Sequence, residues 1–191
     1  MGNFAFARAT WPSTAEEAQR AGHYTYGDPR SSIFYARRTN KTLVAWLHRA
    51  DSTLEAPYKD DLVSLLSEPT FKQLVGPSIL AKMDLIRKQG NFALHRAAPL
   101  RDADSVPVVR ELFHVVSWLA IHYAPTTEGR PAAGAVFDAT MHSLTALRQV
   151  VVLSPSARQT ATSVEPRCGR PRPAAVWELL PRRSMFWTLR R

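Results

Sequence analysis

Residues 79–96, ILAKMDLIRKQGNFALHR, decide how the chain is read. Ile79, Met83, Ile86 and Ala93 recur at helical spacing, and Gly90 interrupts their stripe. Arg87, Asn91 and His95 stand four residues apart, so they project from nearly one side of the same helix. Lys88 lies about 100° round from Arg87. Such a helix buries one side and presents the other, and here the presented side carries a cation, an amide and an imidazole. Those groups either bind a phosphate or a base, or brace a neighbouring helix and fix the register of a bundle. Gly90 would let that neighbour approach closely.

The flanking sequence has the same character. Gly76-Pro77 ends a preceding helical piece that holds Phe71, Leu74 and Val75. Before it, Ser67-Glu68-Pro69 closes a short helix carrying Leu62, Val63, Leu65 and Leu66, and Asp60-Asp61 reads as its capped start. Residues 30–50 form a long helix with Ile33, Ala36, Leu43, Trp46, Leu47 and Ala50 on its buried face. Arg37, Arg38 and Lys41 fall on the other side, as a wet face or as phosphate contacts opposite the Arg87 row. Asp28 is placed to cap this helix. A first helix over about residues 13–26 follows Trp11-Pro12, with Ser13 and Glu16 spaced as a capping box. A last helix over residues 105–124 shows Val108, Leu112, Val115, Val116, Leu119 and Tyr123 on a wide apolar face. No alternating Val/Ile runs bounded by turns occur in residues 1–124. The expectation is all-α: an antiparallel bundle of four to five helices with short connections, followed by a poorly structured tail.

Composition narrows the function. No run approaches the roughly 18 apolar residues of a membrane span. Neither a secretory signal nor a myristoylation signal opens the chain. Cys168 is the only cysteine, which excludes an internal disulfide and a thiolate zinc cage. A cytoplasmic protein is expected, with no membrane contact and no metal or cofactor. The net charge of +9 is unevenly spread. Residues 1–124 hold 15 Lys and Arg against 12 Asp and Glu, whereas residues 125–191 hold 10 against 4. The excess is either a solvated surface with a basic tail or a phosphate-binding surface. Residues 125–191 also carry seven of the 14 prolines and show no sustained period. They are expected to be a disordered tail, a stretch read out of frame, or a basic arm.

Residues 34–95, from FYARRTNKTLVAWLHRAD through IRKQGNFALH, resemble the N-terminal helical domain of unknown function in type I restriction endonuclease R subunits. RELFHVVSWLAIHYA at residues 110–124 continues the likeness. That domain belongs to the HEPN-like (higher eukaryotes and prokaryotes nucleotide-binding) superfamily of helical bundles. The resemblance spans about residues 5–124, and the Arg, Gly-Asn and His of IRKQGNFALH are its most specific part. It implies a module of a bacterial restriction-modification defence system, a HEPN-like fold, and nucleic acid or partner subunits as binding partners. In that family a nuclease and a helicase motor follow; here no phosphate loop GxxxxGK[ST] and no carboxylate-rich nuclease motif occurs. The resemblance therefore implies a truncated or isolated module, not a working restriction subunit.

Three functions remain open at this level. One is a non-catalytic nucleic-acid- or subunit-binding module using Arg87, Asn91, His95, Arg37, Arg38 and Lys88. The second is a metal-independent ribonuclease of HEPN type acting as a dimer, with Arg87 and His95 catalytic. The chemistry is sound, since an Arg fork steadies a phosphate's developing charge and a His moves a proton near neutral pH. Seven residues separate Arg87 from His95, however, more than that pattern has. The third is a purely structural interaction domain. His114, His122 and His48 read as ordinary buried or rim histidines rather than metal ligands.

Overall fold

In a computed structural model of the chain, residues 2–55, 57–95 and 97–141 are described. They contain five α-helices, and no strand occurs among them. The helices are α1 (Pro12–His23), α2 (Pro29–Ala50), α3 (Leu62–Ser67), α4 (Pro69–His95) and α5 (Asp102–Tyr123). The all-α bundle expected from sequence is what forms. Residues 142–191, with Cys168 and nearly all of the Pro/Arg-rich stretch, lie outside the described residues.

Local chemistry sets most helix ends. Pro29 opens α2, and Asp28 accepts the Ser31 N–H at 3.1 Å. Asp61 accepts the N–H groups of Val63 and Ser64, each at 3.0 Å, and so caps α3. Glu68 ends α3 and caps the next helix, taking the N–H of Thr70 at 2.9 Å and of Phe71 at 2.6 Å. The Asp104 carboxylate takes the Arg101 N–H at 2.8 Å, which starts α5 three residues before the expected position. At α1 the expected capping box is absent. The helix begins one residue earlier, at Pro12, so Ser13 lies inside the first turn and its side chain caps nothing. Glu16 instead pairs with Arg20 one turn later, at 2.5 Å. The helix also stops at His23 rather than near residue 26.

Helix α4 carries a break at Gly76, whose φ of 72° and ψ of 166° are not helical. Pro77 follows directly, without an N–H to donate to the preceding turn. The stop expected at Gly76-Pro77 is therefore a sharp corner between two helical pieces rather than a loop.

Helix α2 packs against α1, α3, α4 and α5. Ala15, Ala18 and Ala21 of α1 are fully buried, so small side chains let α1 lie close on α2. Ile33, Ala36, Leu43, Val44 and Leu47 of α2 meet Met83, Ile86 and Ala93 of α4 and the apolar side of α5 in one core. Ala50, expected on the buried face, is exposed at the end of α2. The α1–α2 turn is held by hydroxyls: Ser32 donates to the Ala21 carbonyl at 2.7 Å and Ser105 to the Thr25 carbonyl at 2.8 Å. At the other end the Tyr123 hydroxyl donates to Asp51 at 2.7 Å, joining the end of α5 to the end of α2. Burial and this carboxylate push the Tyr123 hydroxyl pKa well up.

Past Ala124 the chain does not leave the bundle at once. Residues 125–141, read from sequence as part of the tail, return to its N-terminal edge. Asn3 donates to the Asp138 carbonyl at 2.8 Å and accepts the Asp138 N–H at 3.0 Å. Phe137 packs on Phe113 at 6.0 Å between ring centres, and Phe113 also meets Phe4 and Phe6. No helix among the described residues is long and apolar enough to cross a membrane.

The Gly76 corner gives a direct test. A β-carbon would meet no atom there, but the left-handed backbone is strained for any other residue. Gly76→Ala is expected to lower unfolding free energy by roughly 1–3 kcal/mol, measured by urea denaturation. An unchanged midpoint would mean the corner relaxes without cost.

Candidate nucleic-acid interface

Helices α2 and α4 run antiparallel, and three contacts fix their register. Arg30 donates to the Ala93 carbonyl and, at 3.1 Å, to that of Ala98, covering the end of α4. Asn40, fully buried, donates its amide to the Met83 carbonyl at 3.0 Å. Between them Arg37 crosses Gly90. A β-carbon built on Gly90 would stand 2.6 Å from the Arg37 Cβ and 2.2 Å from its Cδ. The absence of a side chain at Gly90 is therefore what admits the Arg37 stem.

Helical spacing fills in the rest of this seam. On α2, the residues three and four away from Arg37 are Ile33 and Asn40 on the core side, both buried, and Phe34 and Lys41 on the solvent side, both exposed. On α4, the corresponding neighbours of Gly90 are Ile86 and Ala93 inside, and Arg87 and Leu94 outside. The outer edge of the seam thus holds Phe34, Arg37 and Lys41 facing Arg87, Asn91 and Leu94.

The six residues singled out from sequence do not form one constellation. Arg87 is half-buried and turns back along α4 to Asp84, with its Nε at 2.9 Å and an Nη at 2.7 Å from one carboxylate oxygen. Lys88 binds the other oxygen of Asp84 at 2.7 Å. Burial raises the Asp84 pKa, but the hydrogen bonds and charges of Lys88 and Arg87 outweigh it, and the carboxyl titrates below its usual range. Arg87 and Asp84 also border a shallow groove of about 350 Å³ lined by Leu66, Pro77 and Leu80. Arg38 reaches α1 and pairs with Glu17 at 2.6 Å. Asn91 is half-buried and His95 is exposed at the end of α4, two turns from Arg87. Neither makes a side-chain hydrogen bond among the described residues.

Arg37 differs from Arg38, Arg87 and Lys88. It has no ion pair and no hydrogen bond among the described residues, and its Nε is buried without a partner. Lys41 has no ion pair there either. Besides Arg30, the cations Arg37, Arg38, Lys41, Arg87 and Lys88 lie at or beside the seam, with the carboxylates Glu17 and Asp84 among them. The special position of Arg37 was not readable from sequence. Its signal is a pairing of Arg37 with Gly90 across 52 intervening positions, which only the packing reveals.

A second polar cluster joins α4 to α5. Lys82 pairs with Glu111, and His114 lies 3.2 Å from the same carboxylate oxygen and 3.3 Å from the Lys82 ammonium. Burial raises the Glu111 pKa, but the hydrogen bonds of Lys82 and His114 bring it below the ordinary value. The other histidines are dispersed. His48 donates to the Leu65 carbonyl at 3.2 Å and stacks on Phe71. His122 donates to the Trp118 carbonyl at 2.7 Å. No group of metal-ligating side chains occurs among the described residues.

Comparison with family models, with curated proteins and with solved structures finds no match for this chain.

Gly90→Ala pits two effects against each other. Helix propensity gains about 1 kcal/mol, while forcing a methyl into a filled site costs roughly 1–3 kcal/mol. The clash includes the Arg37 Cβ, which cannot swing away without moving α2. A net loss of stability is expected in chemical denaturation, and a gain would show that the seam is loose.

Proposed function

We propose that the bundle is a non-catalytic nucleic-acid-binding module, of the kind implied by its resemblance to the N-terminal helical domain of type I restriction R subunits. Subunits of such a complex are the second class of partner under the same reading. The observation that carries it is the uncompensated positive charge at the α2–α4 seam. Arg37, half-buried, and Lys41, exposed, have no carboxylate partner there among the described residues. The Arg37 Nε, buried without an acceptor, is costly to leave unpaired, whereas the Lys41 ammonium is solvated and open to an anion. Phosphodiester oxygens are acceptors of the right charge, and phosphate contacts of this type supply affinity independent of sequence.

The geometry favours binding over cleavage. Ribonuclease chemistry needs the Arg and the His on one phosphate, and one chain does not bring its own pair together. Arg87 is drawn to Asp84, on the N-terminal side, while His95 lies eight residues C-terminal, about 12 Å along the axis. A guanidinium held by a carboxylate is also a weaker anion ligand. Incubation with labelled RNA in EDTA is expected to show salt-sensitive binding without cleavage. Cleavage that disappears in His95→Ala would replace this reading with the ribonuclease.

Asp84 provides a further handle. Asp84→Asn removes the charge that occupies Arg87 and Lys88, so nucleic-acid affinity is expected to rise several-fold at low salt. The same pair gives a pH dependence. A carboxyl with a depressed folded pKa stabilises above its unfolded pKa, near 3.9, and that contribution is lost as pH falls through the lower folded value. Wild type is expected to lose this increment on acidification below about pH 4, and Asp84→Asn to lack it. Equal acid profiles for the two proteins would show that Asp84 is not paired in solution.

A further inference from the structure

We infer that the α2–α4 seam takes a single strand of nucleic acid, with Phe34 stacking on a base and Arg37 and Lys41 holding the adjoining phosphates. This rests on the nucleic-acid reading above and names its substrate class. Phe34 is 38% exposed on the solvent side of α2, a large aromatic that the core leaves uncovered. It stands edge-on to Tyr35, with ring centres 5.6 Å apart, a contact that leaves a face of its ring for other partners. Phe34 lies three residues from Arg37 and seven from Lys41, so all three share one side of the helix. Leu94, 48% exposed, lies across the seam on α4 as a second apolar surface.

The juxtaposition discriminates between strand forms. Bases of a duplex are stacked on each other and present only their edges, so an isolated aromatic on a helix face gains nothing from them. A single strand offers base faces, and stacking on an aromatic is tolerant of sequence. Cations one and two helical turns from the ring then meet the phosphates that flank the stacked base. Arg37, whose stem lies over Gly90, makes no ion pair among the described residues, so its guanidinium is not spent on an internal carboxylate.

The test uses the full chain and fluorescence anisotropy with a short labelled oligothymidine, a duplex of equal length and inorganic polyphosphate as probes. Oligothymidine is expected to bind more tightly than duplex. Phe34→Ala is expected to weaken oligothymidine binding about tenfold while leaving polyphosphate binding unchanged. Arg37→Met keeps the apolar stem over Gly90 but removes the charge. It is expected to weaken both probes and to reduce the salt slope by about 0.7. Lys41→Ala, at an exposed position, carries the same readout if Arg37→Met does not fold. Duplex binding as tight as or tighter than the single strand, or indifference to Phe34→Ala, overturns the single-strand inference and leaves the binding reading standing. Absence of binding to every nucleic-acid probe overturns both.

Discussion

The close approach of α2 and α4 at Gly90 is the constraint on which the rest depends. Without a β-carbon there, the Arg37 stem lies directly on Gly90 of α4. The Asn40 amide then reaches the Met83 carbonyl, and Arg30 reaches the carbonyls at the end of α4. These three contacts are spread along the seam, so they fix its register as well as its spacing. Since α2 also touches α1, α3 and α5, an error in this seam would propagate through the whole core.

Charge is arranged around the same seam. Glu17 and Asp84 each draw in cations, Arg38 on one flank and Arg87 with Lys88 on the other. The Arg38–Glu17 and Lys88–Asp84 pairs are largely solvated at their cationic ends and add little to stability. Their consequence is spatial. They leave Arg37 and Lys41 without a compensating carboxylate among the described residues. This placement, next to the exposed Phe34, is what the proposed binding of an anionic polymer rests on.

The bundle is also tied at its ends by bonds that sequence patterns do not report. Ser105 and Tyr123 each join elements distant in the chain through one hydroxyl, and Ser32 joins the consecutive helices α1 and α2. Asn3 and Asp138 form a reciprocal pair across almost the whole described chain. Such bonds are modest individually, near 1 kcal/mol, but their donors and acceptors are part-buried and would be costly to leave unpaired.

Sequence alone determined the helical class, the main breaks and the core faces. Period 3.6 is a local property, visible in Met83, Ile86 and Ala93 or in Val108, Leu112 and Val115. Caps such as Asp28 and Asp61 act within three residues, so they too were legible. The capping box at Ser13 failed because Pro12 can itself start a helix, and the pattern does not say which start wins. The polar row of Arg87, Asn91 and His95 was correctly placed on one helix. Its fates were not legible, because they are set by Asp84 on the same helix and by what lies opposite each side chain. Tertiary structure alone decided that Arg37 lies on Gly90 with its Nε unpaired among the described residues, and that residues 125–141 fold back onto Asn3 and Phe113. The physical reason is the same in both cases: a close approach between residues far apart in sequence leaves no periodicity to read, only a glycine or a small amide whose purpose appears when its partner is in place.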